Sequence, residues 1–595
     1  MKYAWRFVCL LFAATVLMVG CSGDDGAGTT GPSVTYETFQ IGPAGGTFVS
    51  RDGSVTLEVP AAALATDTTI TLAAATSFPA NGGYVAHTCY AFGPNGLTFD
   101  EPITLTIAYD KSDLPSGIHE VTVGLCKVIG TVWQPVAGST IDTAASTVSA
   151  AIGGFSSYGL VGRGGTVFDG NYDIYNTAHL AAFASYTGIS GNLTVHISDT
   201  LTSLAGLDTL EWIGGDLHFT GSGLTTCDFG DGFSALTTIN GGLRLNHAPQ
   251  RTAVFPALTS VGGKLYIRGW LKTLSCPNLA AVGDSLRLYY ADSLIDLSGL
   301  GGLASIGNAI YVTCCASLQN LTGLEDVTSV LRGLEVSACK SLTSLEGLDG
   351  ITVVVGEVEI NNCDALTSLL GLNLVQVGGL QVSYCDNITS IEQLIHLAKV
   401  GDQSGLVLSE LPRLNSLHGL ESVGMVTGQL QIWRCRALSS LDGLPEFTTC
   451  GAVILFDNDA LLDIAELRHL QTLHSGLDIT DCDALTNLDS LCHLNDIGGN
   501  LTIGYNQLLA NLDGLSGLLH IGSGSHGGSL LIDYNPSLSD ITGLHNLQPN
   551  AGTGFVVPGA IRISHNAMGN TNAWAFVESI GGTSAVRDTV IIDSN

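Results

Sequence analysis

Cysteine recurs at a fixed offset through the middle of the chain. In LEVSACKSLTSLEGL (334–348), VEINNCDALTSLLGL (358–372) and LQVSYCDNITSI (380–391), a cysteine stands five residues after the first apolar residue. Thiols at such a spacing suit three arrangements. The first is coordination of a metal ion, the second is disulfide bonding between neighbouring repeats, and the third is a structural column of buried free thiols.

Asparagine takes the place of cysteine in other repeats, and this distinguishes the three arrangements. The residues at this position are Cys315, Cys339, Cys363, Cys385, Cys435, Cys482, Asn458, Asn506, Asn535 and Asn566. A position that accepts either type is expected to be small, inward-facing and able to hydrogen-bond the turn after a strand. Structural zinc needs four ligands converging on one point, whereas these side chains are spread along an axis. A metal site is therefore disfavoured.

A disulfide ladder stays open as the alternative to free thiols. Neighbouring strands bring Cα atoms to about 4.8 Å, which is within disulfide range. Side chains stacked in parallel, however, do not give the dihedral angle near 90° that a disulfide needs. The sequence therefore favours buried thiols.

The strands that position these side chains belong to a repeat of the form L-x-I-x-x-N/C-x-x-L-x-x-L-x-G-L. The predicted strand starts are Leu193, Leu217, Leu243, Leu265, Leu286, Ile310, Leu334, Val358, Leu380, Leu406, Leu430, Val453, Leu477, Leu501, Leu530, Ile561 and Val590. Self-similarity at this period predicts a solenoid whose coils bury their apolar side against their neighbours. We expect a mainly β protein with a long, right-handed parallel β-solenoid.

This repeat resembles leucine-rich repeats and, more closely, the receptor L domain of insulin-type and epidermal-growth-factor-type receptors. The stretches SYTGISGNLTV (185–195) and IGGNLTIGYNQLLANLDGL (497–515) carry the likeness, which spans about 420 residues. Receptor L domains use a β-sheet face for ligands, so the resemblance implies a binding role for the solenoid.

Residues 36–161 have a different period. Apolar and polar residues alternate in GSVTLEV (53–59), TTITLAA (68–74) and PITLTIAYD (102–110), which predicts an antiparallel β-sandwich. Cys89 and Cys126 are the only cysteines of this region, so a disulfide between them is plausible.

The same region resembles the ZU-five domain of zonula-occludens scaffolds, ankyrins and netrin receptors. The matching stretches are IGPAGGTF (41–48), VPAAAL (59–64), FGPNGLTFDEPI (92–103), Trp133 and FSSYGL (155–160). Some family members cleave themselves at His-Phe-Ser with the serine as nucleophile. This chain has Gly154 in place of the histidine, so Ser156 lacks an adjacent base and FSSY is predicted to be a closing strand.

The N-terminus has the features of an export signal. Lys2 and Arg6 precede the apolar run FVCLLFAATVLMV (7–19), which is too short to span a bilayer. The following LMVGC resembles the lipobox of bacterial lipoproteins, which implies cleavage after Gly20 and lipidation of Cys21. We expect a signal peptide over residues 1–20 and a flexible tether over residues 21–35.

The remaining domain boundaries follow from these patterns. The β-sandwich is expected over 36–161, a linker with a helical cap over 163–192, and the solenoid over 193–595. Within the cap, residues 175–191 predict a short amphipathic helix with Asn176 or Thr177 as N-cap.

Charge and motif content limit the classes of function. The chain has 21 Lys and Arg against 53 Asp and Glu, a net charge of −32, which disfavours nucleic-acid binding. It contains no H-E-x-x-H, G-x-S-x-G or C-x-x-C pattern, and its G-x-G-x-x-G match (522–527) lies between repeats. The aspartates of DITDCD (478–483) lack a calcium-loop pattern. We therefore expect no catalytic site, metal or cofactor.

One surface feature stands out from this background. The residues one and three positions after each strand start are expected to point outward. Between 243 and 311 these positions and their neighbours hold Arg244, Tyr266, Arg268, Trp270, Arg287, Tyr289, Tyr290 and Tyr311. Arginine, tyrosine and tryptophan are common interface anchors, so this set predicts a ligand-binding patch. The alternative is cross-strand stacking that only stabilises irregular coils.

A smaller group of the same residue types follows later in the repeat. It consists of Trp433, Arg434, Arg436 and Phe456.

The sequence as a whole predicts a lipid-anchored protein of the bacterial cell envelope, at the outer membrane or cell surface. Its solenoid is expected to bind an extracellular protein or glycan. The alternative is a structural stalk or surface-coat component that associates with copies of itself through the solenoid.

Overall fold

The computed structural model describes residues 37–593, and the gaps within this range are 76, 80–82, 130–131, 137–138, 163–164, 199–200, 202, 222–231, 247–251 and 526. The chain divides into two compact units, Met1–Gly165 and Thr166–Asn595. Cys21 and the expected signal peptide over residues 1–20 lie outside the described residues. Within the described residues, no helix is both long enough and apolar enough to cross a lipid bilayer.

The first unit consists of two antiparallel sheets around a common core. Its strands are β1 (Glu37–Ile41), β2 (Gly46–Val49), β3 (Val55–Val59), β4 (Thr68–Ala74), β5 (Tyr90–Gly93), β6 (Thr98–Ala108), β7 (Gly124–Ile129), β8 (Val132–Pro135), β9 (Thr140–Asp142), β10 (Thr147–Gly154) and β11 (Ser157–Val161). The strand orders are β1-β4-β5-β11-β7-β8 and β2-β3-β6-β10-β9. Short 3-10 helices cover Lys111–Asp113 and Glu120–Thr122.

Alternation of side chains builds this core, as expected of a sandwich. In β3, Val55, Leu57 and Val59 are buried, whereas Thr56 and Glu58 point outward. Strand β11 runs antiparallel to β5 and β7, which confirms the prediction that FSSY leads into a closing strand. Cys89 and Cys126 are both buried, but Cys89 has a free thiol, so the plausible disulfide between them is not formed.

The second unit is a long parallel β-solenoid. Its strands are β12 (Val167–Phe168), β13 (Tyr172–Ile174), β14 (Gly188–Ile189), β15 (Leu193–His196), β16 (Trp212–Ile213), β17 (Leu217–Thr220), β18 (Thr238–Ile239), β19 (Leu243–Asn246), β20 (Thr252–Val254), β21 (Ser260–Val261), β22 (Leu265–Arg268), β23 (Thr273–Ser275), β24 (Ala281–Val282), β25 (Leu286–Tyr289), β26 (Ser305–Ile306), β27 (Ala309–Thr313), β28 (Ser329–Val330), β29 (Gly333–Ser337), β30 (Val353–Asn361), β31 (Gln376–Ser383), β32 (Lys399–Ser409), β33 (Met425–Trp433), β34 (Thr449–Phe456), β35 (Thr472–Leu473), β36 (Leu477–Thr480), β37 (Asp496–Ile497), β38 (Leu501–Gly504), β39 (His520–Ile521), β40 (Leu530–Asp533), β41 (Ile561–Ser564) and β42 (Val590–Asp593). The largest sheet holds 22 strands, from β13 to β42.

Helical segments lie between these strands. The two α-helices are α1 (Thr177–Phe183) and α2 (Asn570–Ser579), and the 3-10 helices cover Ser298–Leu300, Glu392–Leu394, Ala465–His469, Asp489–Leu491, Asp513–Leu515, Thr542–Leu544 and Gly582–Ala585. Asn176 caps α1 by accepting hydrogen bonds from the backbone N–H groups of Ala178 and His179, as the sequence predicts. The helix ends at Phe183 rather than near residue 191 because the chain enters strand β14 at Gly188.

The pairing register of the solenoid matches the repeat. Leu193 lies opposite Leu217, Leu217 opposite Leu243, and each later predicted strand start opposite the next, as far as Val590. The parallel β-solenoid is therefore confirmed. It begins one coil earlier than the predicted start at Leu193, because Tyr172 of β13 already pairs with Leu193 in parallel. Strand β13 has only three residues, so its alternation of apolar and polar residues is too short to be recognised in the sequence.

Candidate binding face and the inner cysteine–asparagine column

A sharp turn follows the strand in most coils and sets the direction of the next side chain. The turn residue has a left-handed backbone, with φ of 55° at Ala338, 54° at Asn362 and 54° at Tyr384. The residue after it, Cys339 or Cys385 for example, is fully buried. The left-handed residue thus rotates the chain so that the cysteine or asparagine position points inward.

Asparagine and cysteine at this position make the same two links to the preceding coil. The Asn535 side chain donates from Nδ2 to the Ile503 carbonyl oxygen at 3.1 Å, and its Oδ1 accepts from the Asn506 backbone N–H at 3.0 Å. Among the cysteines, Cys363 donates from Sγ to the Val336 carbonyl oxygen of the preceding coil at 3.7 Å, and Cys385 Sγ accepts from the Cys363 backbone N–H of the preceding coil at 3.4 Å. This confirms a small inward position that hydrogen-bonds the turn.

The thiols of this column are free, which decides between the two arrangements left open by the sequence. Cys315, Cys339, Cys363, Cys385, Cys435 and Cys482 are all buried free cysteines. Burial raises the pKa of the Cys435 thiol to about 12 and that of Cys385 to about 11. Protonated, enclosed thiols are poor nucleophiles, so Cys385 and Cys435 are structural members of this column.

Adjacent coils bring the predicted ligand-binding residues onto one outward face, which we call the Arg/Tyr face. It consists of Arg244, Tyr266, Arg268, Arg287, Tyr289, Tyr290 and Tyr311, and the exposed Trp270 follows the end of strand β22. In the first outward column, Arg244 lies opposite Tyr266, Tyr266 opposite Arg287, and Arg287 opposite Tyr311. Cations and aromatic rings therefore alternate from coil to coil. In the second column, Arg268 lies opposite Tyr289.

Contacts within the Arg/Tyr face are cation–π and edge-to-face. The guanidinium carbon of Arg287 lies 4.4 Å from the Tyr311 ring centroid, and that of Arg268 lies 5.6 Å from the Tyr289 centroid. The Tyr289 and Tyr290 rings meet edge to face at 4.6 Å. Such contacts hold the guanidinium groups in place and stabilise the sheet by about 0.5–1 kcal/mol each at an exposed site.

Two arginines of the Arg/Tyr face lie outside the direct ion pairs of the described residues, and Arg287 interacts with the Asp284 carboxylate only at longer range. Arg244 forms an ion pair with Asp216 at 3.1 Å. In the part of the chain that the structure describes, neither Arg268 nor Arg287 forms an ion pair, and Arg287 Nε is buried without a hydrogen-bond partner. Each therefore retains N–H donors for an acceptor from outside the chain.

In the smaller group near residue 433, by contrast, the arginines form direct ion pairs. Arg434 donates to Glu410 at 2.6 Å and to Asp457 at 2.8 Å, and Arg436 donates to Asp457 at 2.7 Å. These guanidinium groups are already paired. Their carboxylate partners come from neighbouring coils, so this group lacks the donors that make the Arg/Tyr face a candidate site.

An aromatic stack near the C-terminal coils escaped the sequence analysis. The Tyr505 and Tyr534 rings lie 4.7 Å apart and nearly parallel, and the His565 ring lies 4.0 Å from Tyr534. All three occupy the left-handed turn position directly before an inner asparagine. The recurring YN, YN and HN pairs carry this signal, but strand alternation places only the residues one and three positions after each strand start on the outer face.

The aspartates of DITDCD lie together with a neighbour from the preceding coil. Carboxylate oxygens of Asp459, Asp481 and Asp483 fall within 4.8 Å of one another. Calcium takes about six to eight oxygen ligands. Because Arg436 lies 3.7 Å from Asp459, a guanidinium already supplies positive charge at this position.

No protein-family model and no curated protein matches this chain. The likeness to ZU-five domains, receptor L domains and lipoproteins therefore rests on the quoted motifs. The antiparallel sheets and the parallel solenoid rest on the structure.

Proposed function

We propose that this is a lipid-anchored cell-surface protein that binds an extracellular protein or glycan through the Arg/Tyr face. The observation that carries this proposal is the pair Arg268 and Arg287, whose guanidinium groups lie beside aromatic rings and form no direct ion pair among the described residues. Binding, rather than catalysis, is supported by the absence of catalytic motifs from the sequence.

The overall charge makes these arginines unusual. With 53 acidic residues against 21 Lys and Arg, carboxylates are abundant, and Arg434 and Arg436 each find one. An unpaired arginine beside a row of rings is a ready hydrogen-bonding site for a partner. Trp270 is 57% exposed, an exposure of apolar surface that partner binding would reduce.

We also propose a family type for each of the two units. The L-x-I-x-x-N/C-x-x-L repeat supports a right-handed solenoid of the leucine-rich-repeat and receptor L type. The FGPNGLTFDEPI stretch supports a ZU-five-like first unit, which would act as a spacer between the anchor and the binding face.

Replacing Tyr266, Arg268, Tyr289 and Tyr311 with serine is expected to abolish attachment to the ligand. Loss of one aromatic or arginine anchor costs about 2 kcal/mol or more, against about 8 kcal/mol for a whole micromolar interaction. The fold should persist because these side chains alternate with the buried Leu265 and Ile267, which are unchanged. The measurement is attachment of the full chain to intact cells and to candidate proteins and glycans.

The matched control replaces two outward residues of the coils that follow the face, Ser337 and Asn361, with alanine. If wild type, patch variant and control attach equally and have the same melting temperature, the Arg/Tyr face takes no part in ligand binding. A large fall in melting temperature of the patch variant would favour a purely stabilising role. Loss of self-association, with attachment to foreign partners unchanged, would favour a surface coat.

Cys21→Ala is expected to move the protein from the membrane fraction to the soluble fraction. Stable anchoring of a lipoprotein takes two or more acyl chains on the N-terminal cysteine, and alanine accepts none. Fractionation after a high-salt wash measures the change. Cys9→Ala is the control, since Cys9 lies within the expected signal peptide and should leave anchoring intact. Retention of the Cys21 variant in the membrane would disprove the lipid anchor.

A further inference from the structure

We propose that the Arg/Tyr face binds an acidic glycan, a linear polymer of sugars that carry carboxylate or sulfate groups. This inference rests on the proposed function and names the chemistry of its ligand. Three features of the face support it, namely its charge, its exposed rings and the spacing of its residues.

Charge selects an anionic partner. Arg268 and Arg287 lie on adjacent coils and, among the described residues, neither forms a direct ion pair. A guanidinium group binds a carboxylate or sulfate through two parallel N–H donors, and this geometry favours arginine over lysine. Because Arg287 Nε is buried by the protein itself, the terminal N–H groups of this guanidinium are the donors that a bound anion would meet.

The exposed rings favour a sugar over an acidic peptide. Trp270, Tyr289 and Tyr290 are 57%, 39% and 44% exposed, and a sugar ring can lay its C–H surface on such rings. The outward positions of β19, β22, β25 and β27 hold only Arg, Asn, Tyr and Thr. These positions therefore offer ring faces for stacking and N–H or O–H donors for hydrogen bonds. Sugar hydroxyls suit the tyrosine and arginine groups better.

The spacing of the face suits a polymer. Neighbouring parallel strands lie about 4.8 Å apart, so cations and rings alternate along the solenoid axis at that interval. Arg244, Tyr266, Arg287 and Tyr311 form one such row. A linear chain laid along the row would meet a cation and a ring in turn, and every repeat would add contacts.

The test compares acidic polymers with neutral and peptide analogues, using the full chain. The probes are polygalacturonate, alginate, hyaluronate, chondroitin sulfate, methyl-esterified polygalacturonate and poly-glutamate. We expect binding to at least one acidic polysaccharide. Binding to the neutral ester and to poly-glutamate is expected to be at least tenfold weaker. The sulfated and carboxylated probes separate the two sources of negative charge.

Charge variants connect this binding to the face. Arg268→Gln with Arg287→Gln is expected to weaken binding of the acidic polymer at least tenfold. The control is Arg332→Gln with Lys340→Gln, which makes the same change in net charge at exposed positions outside the two outward columns. The control should bind within twofold of wild type, because a general charge effect would weaken both variants equally.

The outcomes separate this inference from the proposed function. The acidic-glycan inference is overturned if no acidic polysaccharide binds, or if the neutral ester or poly-glutamate binds as tightly as the acidic polysaccharide. It is also overturned if the two double variants weaken binding equally. The proposed function survives each of these results, provided that the serine patch variant still loses attachment to its partner. If that variant attaches like wild type, the proposed function itself falls.

Discussion

Gly347→Ala is expected to lower the free energy of unfolding of the solenoid by about 4 kcal/mol, through backbone strain and overpacking together. Gly347 has a φ of 103°, a region that residues with a Cβ rarely adopt. A Cβ built at this position overlaps the carbonyl oxygen and carbon of Leu321 in the preceding coil. The obstacle is backbone, which cannot rotate aside as a side chain would.

The same combination of positive φ and backbone overlap occurs at five x-G-L positions of the repeat, and it explains the preference for glycine at those positions. The equivalent glycines with positive φ are Gly323, Gly347, Gly371, Gly419 and Gly443. At each of them a Cβ would collide with backbone of the preceding coil. Glycine therefore permits the close approach of coils on this side of the solenoid.

Urea denaturation followed by circular dichroism measures the effect, and hydrogen exchange locates it. Since each coil contacts only its neighbours, lost protection should centre on the coils around Leu321 and Gly347. The control is Gly301→Ala. Gly301 has an ordinary helical φ of −59°, and its nearest neighbour to a new Cβ is the Ser298 oxygen at 3.5 Å. Equal stability of the two variants would show that close coil approach does not require glycine.

Asn535→Ala is expected to cost about 3 kcal/mol, because removal of its amide leaves at least two buried backbone groups of the preceding coil without partners. The Ile503 carbonyl oxygen loses its donor from Nδ2, and the Asn506 N–H loses its acceptor Oδ1. Asn535 itself is completely buried, so water cannot replace these bonds without opening the turn.

Asn535→Cys should recover part of the loss, since cysteine makes the equivalent contacts in the coils of Cys363 and Cys385. Sulfur is a weaker donor and acceptor than an amide, so the recovery is expected to be incomplete. The control is Asn546→Ala, which removes an exposed asparagine bonded to the Ser516 carbonyl oxygen. Thermal and urea unfolding rank the variants. An alanine variant as stable as the cysteine variant would contradict the proposed hydrogen-bond ladder.

The sequence alone predicted the register of the solenoid because each coil contacts only the coils beside it. A residue such as Leu265 must lie opposite Leu286 if both are to stay buried, since a slip of one residue would turn both outward. The outward set, including Tyr266 and Arg287, follows from the same alternation. The inner cysteine–asparagine column was also predictable from the sequence. The same backbone turn recurs in successive coils, and it limits the side chain at this position to a small one.

Only the tertiary structure decided which charged groups are paired. Arg287 and Arg434 both follow apolar strand residues and look alike in the sequence. Arg434, however, reaches Glu410 and Asp457 on the coils at either side, whereas Arg287 lies over the Tyr311 ring. These partners are more than 20 residues away along the chain, and the choice between them depends on side-chain direction as well as on register.

The turns are the second feature that the sequence did not resolve. A left-handed residue before each inner position directs its own side chain outward, which adds a third outward position to the coil. Tyr290, Tyr505 and Tyr534 occupy it, and so does His565. Tyrosine and histidine do not mark a positive φ in a sequence as glycine does, because the conformation is imposed by the inward bonds of the next residue. The sequence therefore predicts the alternation of inward and outward residues along each strand. The bend that ends each strand is determined by hydrogen bonds to the neighbouring coil.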